Sequence, residues 1–418
     1  MREPIRSLAE AHVADSTDPL AFARPRFTLR EGVTYLDGNS LGAMPTHVPS
    51  VMADAVARQW GHDLIESWNN NGWWALPDRI GERIGALAGA APGQVVCGDS
   101  TTIQLYQTLT ALVRLAKRDP ARTTIITDGA NFPTDQYIAE SVARANGMQL
   151  LRVNPAQLPA VLDESIAVVS ISAVDYRTGE LWDTAAITPA VHECGAYMLW
   201  DVCHAIGAVP IALDEMNTDA AVGCTYKYLN GGPGSPAWVY LPHRMQTQVD
   251  LPLTGWHGHA DPFGFVPNFE PAPGITRARI GAPPILAMIA LDAALDVWDG
   301  VDMKLVRAKS LALTDLVIAY ADAHLAEFGV EPATPREHVR RGSQVSLRME
   351  SGYEVSQALI ARGVVGDFRA PDLLRLGFTP LYLSYADVWN AMETLRDVLA
   401  TKAYTDPAYA RPETFTVT

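Results

Sequence analysis

AAVGCTYKYLNGGPGSPAWVYL, residues 220–241, holds two short apolar runs joined by a glycine-rich turn, with Lys227 just beyond the first run. The turn is too short for a crossover helix, which predicts that the two runs pair as antiparallel strands. Five runs of similar character precede them: QVVCGD (94–99), TTIITDG (123–129), MQLLRV (148–153), IAVVSISAV (166–174) and AYMLWDV (196–202). Helix-like stretches, Thr101–Arg118, Thr134–Asn146 and Pro189–Cys194, lie between them. Strands alternating with helices predict an α/β fold, a mostly parallel seven-stranded sheet with right-handed crossovers and helices on both faces.

The chain of 418 residues is 48% apolar, enough to bury a large core and to divide into two or three domains. We read an N-terminal arm over 1–45, a large domain over 46–300 and a small C-terminal domain over 301–418, to which the arm contributes. After Trp256 the chain turns rich in Pro, Gly and aromatics (GWHGHADPFGFVPNFEPAPG), and helical patterns then run to about Phe328. Beyond them, strands (SQVSLRME, LLRLGFT) mix with helices (EVSQALIARG, YADVWNAMETLRDVLATKAY), an order suited to a small α+β unit.

With 32 basic residues against 47 acidic ones the net charge is −15, and no basic run or stripe offers a path for a phosphate backbone, so nucleic acid is not an expected partner. Cys97, Cys194, Cys203 and Cys224 show no CxxC spacing and lie in or beside apolar segments, which reads as buried free thiols in a reducing cytoplasm. No stretch has the length of uncharged apolar residues that a bilayer span needs, and no metal-ligand spacing stands out. A soluble cytoplasmic protein is expected.

Ligands of open α/β sheets bind beyond the carboxyl ends of the strands. Four predicted strand ends carry reactive groups. Asp99 and Ser100 close one strand, and Ser100, Thr101 and Thr102 open a helix whose free N–H groups and dipole favour a phosphate, or are simply an N-cap. Phe132 and Asp135 follow the TTIITDG run, the ring placed either in the core or over a planar ligand. Asp201 ends the apolar AYMLW run, with His204 three residues on, and a carboxylate at that depth needs a cation or a cap to satisfy. Lys227 follows the next strand; taken alone, a lysine is ordinary surface decoration. Together, an acid, a lysine and a hydroxyl-bearing helix start are what pyridoxal phosphate requires: an amine for the Schiff base, an acid for the pyridine nitrogen and donors for the phosphate.

Six segments resemble kynureninase: YLDGNSLGAMP (35–45), NFPTDQYIAE (131–140), WDVCHAIGAVP (200–210), GCTYKYLNGGPGSPA (223–237), GWHGHADPF (255–263) and GDFRAPDLLRLGFTPLY (366–382). The first and fourth are the most specific, and the matches run through nearly the whole chain. The resemblance implies a fold-type I, aspartate-aminotransferase-like enzyme using pyridoxal 5'-phosphate, a homodimer with shared active sites, and hydrolysis of L-kynurenine to anthranilate and L-alanine.

Carried over, the resemblance makes Lys227 the cofactor-bearing lysine, Asp201 the partner of the pyridine nitrogen, and Phe132 the ring that stacks on the cofactor, with Asp135 close by. Thr101, Thr102, Ser172, Tyr226, Ala282 and, from the neighbouring subunit, Trp256 help hold it, and His204 lines the pocket. Tyr226 is the implied proton carrier. Arg375 matches the arginine that takes the substrate carboxylate, although by its residues alone it reads equally as a structural pair with Asp367 or Asp372. Asn39, Trp68, His257 and Gly281 complete the implied substrate site. Departures are His257 where bacterial relatives usually have Phe, Ala173 where they often have His, and Ala282 in place of Thr or Asn. A cysteine desulfurase, which shares the fold, needs a reactive cysteine late in the chain, and none follows Cys224. A non-catalytic regulatory module on this fold is the other alternative.

Overall fold

The computed structural model describes residues 4–411; the first three and last seven residues, assigned above to the arm and the small domain, lie outside the described residues. A short strand, β1 (Thr34–Tyr35), precedes the main sheet. That sheet comprises β2 (Val95–Cys97), β3 (Thr124–Asp128), β4 (Gln149–Val153), β5 (Ile166–Ser172), β6 (Tyr197–Asp201), β7 (Ala220–Gly223) and β8 (Trp238–Tyr240), in the spatial order β2-β8-β7-β6-β5-β3-β4.

All seven expected strands form, each shorter than its apolar run because the ends of the runs leave the sheet to build loops. From β4 to β7 neighbours are parallel, while β8 is antiparallel to both β7 and β2. β3, β5 and β7 are buried at every position, as a sheet covered on both faces by helices demands.

One helix differs from its expected bounds. It spans Thr184–Glu193, not Pro189–Cys194, and Pro189 sits inside it. The start is set by Asp183, whose carboxylate accepts from the Ala186 N–H at 3.0 Å, a cap that outweighs the single backbone hydrogen bond Pro189 cannot make. Cys194, just past its end, is only partly buried, unlike Cys97, Cys203 and Cys224.

A second sheet holds β9 (Glu331–Pro332), β10 (Gln344–Arg348), β12 (Asp367–Arg369) and β13 (Leu373–Gly377), antiparallel in the order β12-β13-β10-β9, with β11 (Val364–Val365) beside it paired in parallel to β1. The first helix, Leu8–Ser16, packs against the helix Tyr385–Ala400. The Asp15 carboxylate accepts from the N–H groups of Tyr385 and Ala386 at 2.7 and 3.0 Å, satisfying two donors at that helix start. Among the described residues no helix is long and apolar enough to cross a membrane.

Candidate active site

The loaded strand ends meet. Asp201 and Ser172 are the last residues of β6 and β5, Lys227 lies four residues past β7, and Phe132 caps the helix Pro133–Asn146 that follows β3. Around them is a cleft of about 260 Å³, lined by Asn39, Thr101, Thr102, Phe132, Asp135, Ser172, Asp201, His204, Tyr226, Lys227 and Arg375 of the expected residues. The glycine-rich turn after Lys227 is held by the YLDGNSLG segment: the Gly42 N–H donates to the Tyr226 carbonyl at 2.7 Å. A Cβ on Gly42 would lie 2.3 Å from the Lys227 carbonyl oxygen, so only glycine permits this approach.

Lys227 Nζ stands 2.8 Å from His204 Nε2. Burial, and the cations Lys227, Arg375 and Arg369, hold the His204 imidazole well below its usual value, so the ring is neutral. Lys227 Nζ donates and Nε2 accepts, which puts the ring proton on Nδ1, a buried atom with no partner among the described residues.

Two carboxyl groups share the floor. Asp201 Oδ1 accepts from the Cys203 N–H at 2.7 Å, and its Oδ2 lies 3.0 Å from Ser172 Oγ. Ser172 Oγ is also 2.8 Å from Asn131 Oδ1, so one hydroxyl proton is divided between two acceptors. Asp135, buried beside Asp201, is raised well above the carboxylate range by desolvation first and by the Asp201 charge second.

Arg375 is buried in a closed network. Its Nε donates to Asp367 Oδ1 at 2.7 Å, its Nη2 to Asp367 Oδ2 and, at 3.1 Å, to Ser40 Oγ, and its Nη1 to the Tyr176 carbonyl. Of the two acids that the sequence offers as a structural partner, Asp367 is the one it meets; Asp372 pairs instead with Arg348 at 3.1 Å. The pairing does not remove Arg375 from the cleft wall.

Five expected residues do not join the cleft. His257, Gly281 and Ala282 line a separate small pocket with Asp99, Gln104 and Arg279. Trp68 and Trp256 lie in an aromatic cluster around His257, whose ring stacks on Trp74 with centroids 4.3 Å apart. Neither nitrogen of His257 finds a partner among the described residues, and burial, with Arg279 close by, pushes it down to about 4. Conversely, the cleft includes Ser40, Asn131, Thr134, Tyr176, Cys203 and Arg369, which sequence reasoning did not single out. Asn131, Thr134 and Cys203 adjoin flagged residues within the same short loops. Arg369 lies in the quoted segment 366–382, beside Asp367, whereas Tyr176 carries no such signal.

A family model described as the Kynureninase C-terminal domain matches residues 306–395. Kynureninase from Burkholderia pseudomallei (strain 1106a) is 48% identical over 410 residues, covering 97% of this chain and 99% of the relative. Kynureninase from Pseudomonas fluorescens is 46% identical over 394 residues, covering 93% and 95%. The chain belongs to the kynureninase family.

Solved structures place the fold beside other fold-type I pyridoxal-phosphate enzymes. The apo cysteine desulfurase of Thermococcus onnurineus NA1 superposes with a TM-score of 0.77 at 15% identity, covering 91% of this chain and 98% of that one. A cystine C–S lyase in complex with cysteine persulfide gives 0.76 at 16% identity, covering 88% and 98%. At these identities the likeness speaks to fold alone, and the kynureninase family is the assignment for the chain.

Proposed function

We propose that the protein is a kynureninase, a hydrolase that uses pyridoxal 5'-phosphate to cleave the Cβ–Cγ bond of L-kynurenine, releasing anthranilate and L-alanine, with 3-hydroxykynurenine the poorer substrate. The observation that carries the reading is the convergence of Lys227 Nζ and the Asp201 carboxyl on one cleft in a chain 48% identical to a curated kynureninase.

The donor set fits the cofactor. Lys227 supplies the amine, Asp201 the anion for a protonated pyridine nitrogen, and Thr101 and Thr102 hydroxyls at the start of the helix Thr101–Ala116 for a phosphate. Phe132, 47% exposed and edge-on to Tyr176 at 5.3 Å, leaves an apolar ring face that a planar group would cover. The unpartnered Nδ1–H of His204 is a further donor awaiting an acceptor.

When bound, pyridoxal phosphate supplies an electron sink for the pair left behind as bonds at the substrate's α- and β-carbons break. The chain supplies the rest. Lys227 Nζ takes the α-proton and returns one, with neutral His204 beside it as the acceptor that orients Nζ. Asp201 would face the pyridine nitrogen, its Oδ1 fixed by the Cys203 N–H and its Oδ2 by Ser172 Oγ, with Asp135 buried beside it. Tyr226, whose hydroxyl burial pushes up, keeps a proton to carry to the β-carbon that remains as the methyl of alanine once the aryl acyl carbon has left with the oxygen of water. Arg375 stands at the wall where the substrate carboxylate docks.

We further propose a homodimer in which Trp256, Trp68, His257, Gly281 and Ala282 reach the cleft of the neighbouring subunit. Two features support it: these residues cluster away from their own cleft, and Trp256, Phe263, Phe265 and Val266 expose an apolar face at 42%, 63%, 83% and 56%. A cytoplasmic setting agrees with the four unpaired cysteines, and the products place the enzyme in tryptophan catabolism, the kynurenine route that also leads to NAD.

The deciding experiment is incubation with L-kynurenine, with and without added pyridoxal phosphate, followed by assay of anthranilate and alanine. Equimolar, cofactor-dependent release is expected; release of neither product overturns the assignment.

A further inference from the structure

Arg375 is not a free fork. Four of the five guanidinium N–H bonds are already directed at Asp367, Ser40 and the Tyr176 carbonyl, and its side chain is 2% exposed. Turning both Nη groups onto a substrate carboxylate would strip a buried Asp367 of its partner, which is costly. A second cation lines the same cleft. Arg369, on β12, donates one N–H to the Phe368 carbonyl at 2.9 Å and forms an ion pair with Asp367, Nη2 standing 2.8 Å from Oδ2, and its side chain is 31% exposed. Its other N–H groups make no hydrogen bond among the described residues.

Asp367 therefore faces two guanidiniums, and the trio carries one positive charge in surplus. Asp37, behind them, has a carboxyl oxygen without a partner and is pushed up to about 7 by burial and by Asp367, so below that value it does not cancel the surplus. β12 and β13 hold Arg369 and Arg375 on adjacent antiparallel strands, where Asp367 and Arg375 are direct cross-strand neighbours.

We propose that Arg369 is a substrate-binding residue: its unspent N–H groups take the α-carboxylate of the amino-acid substrate together with the one free N–H of Arg375, while Asp367 holds the two guanidiniums in place. This rests on the reading of the cleft as an amino-acid site. Arg375 then acts as a fixed anchor whose orientation Asp367 sets, and Arg369 as the adaptable arm that completes the clamp.

The test is calorimetric titration of the holoenzyme and of Arg369→Gln and Arg369→Lys with two ligands. L-alanine carries the carboxylate and no aryl group; kynuramine, the decarboxylated amine of kynurenine, carries the aryl ketone and no carboxylate. Arg369→Gln is expected to raise the L-alanine Kd about tenfold or more and to leave kynuramine binding unchanged. Arg369→Lys restores only part of the loss, because an ammonium lacks the planar fork. An unchanged L-alanine Kd in Arg369→Gln overturns the proposal, as does equal weakening of both ligands or an unmodified holoenzyme that does not bind L-alanine. Failure of the unmodified enzyme to hydrolyse L-kynurenine sinks the kynureninase reading instead, and the L-alanine titration still decides the role of Arg369.

Discussion

Lys227 Nζ and His204 Nε2 stand 2.8 Å apart in a site where the imidazole is held neutral. The lysine is thus fixed in direction by an acceptor that brings no charge of its own. Borohydride reduction of the holoenzyme is expected to leave the cofactor mass on the peptide carrying Lys227, and labelling of another lysine would refute the assignment. Lys227→Ala should lose turnover while retaining the fold.

The two buried acids are predicted to behave differently. Burial and the Asp201 charge push the Asp135 carboxyl up and favour its protonated form, which Asp135→Asn mimics in shape and charge, so that variant should change kcat/KM little. Asp201→Asn removes the anion that a protonated pyridine nitrogen needs, a charge-assisted hydrogen bond of about 1.5–3 kcal/mol, and should lower kcat/KM by at least tenfold. Steady-state kinetics of both variants checks the pair, and equal losses would contradict the division of roles.

Arg375→Ala removes both the anchor of the clamp and the partner of Asp367. We expect kcat/KM to fall by about 3 kcal/mol or more and folding stability to drop by about 3–5 kcal/mol, the cost of leaving a buried charge unpaired. Adding Asp367→Asn should recover stability, measured by denaturant unfolding, without recovering activity. Recovery of activity would return Arg375 to a purely structural role.

Asp37 sets a pH dependence of stability. Its folded value, about 7, lies above the ordinary carboxylate value of the unfolded chain, so the folded state binds the extra proton between the two. Its contribution is fully present below about pH 4 and is lost as the pH rises through about 7. The apoprotein should lose Tm between pH 5 and 8 more steeply than Asp37→Asn does, and identical slopes would rule the group out.

Ala282 bears on substrate choice. In the proposed dimer it offers an apolar wall, and a 3-hydroxyl set against it without a partner costs about 1–3 kcal/mol. We expect a higher kcat/KM for L-kynurenine than for 3-hydroxykynurenine, with Ala282→Asn narrowing the gap. A clear preference for the hydroxylated substrate would instead assign the partner role to His257, whose two ring nitrogens are unmatched among the described residues.

Asp201, Lys227 and Thr101 are legible in the sequence because each sits at a fixed offset from an apolar strand run, and an α/β sheet carries such positions to one edge. Tyr176 is not, since it arrives by long-range docking and gives its carbonyl to Arg375, 199 residues away. The upward shift of the Asp135 carboxyl is equally invisible, because it follows from the depth of burial and from a neighbour 66 positions later in the chain. The start of helix Thr184–Glu193 is missed for a local reason, Asp183 capping a stretch whose interior proline reads as a breaker.

The embrace of the first helix by the last has a consequence for how the chain is made. Asp15 caps a helix 370 residues downstream, and β1 finds its only sheet partner among the described residues at Val364–Val365. During translation the segment through Tyr35 therefore leaves the ribosome with nothing to dock on, while the central sheet gathers behind it as residues up to Tyr240 emerge. Leu36, fully buried in the finished molecule, exchanges backbone hydrogen bonds with Val365 and Gly377, so its place is completed only when those residues have emerged. Asn39 and Ser40 of the cleft meet Gln344 and Asp367 at that same stage, and a nascent chain truncated before β13 lacks Arg375 from its cleft wall.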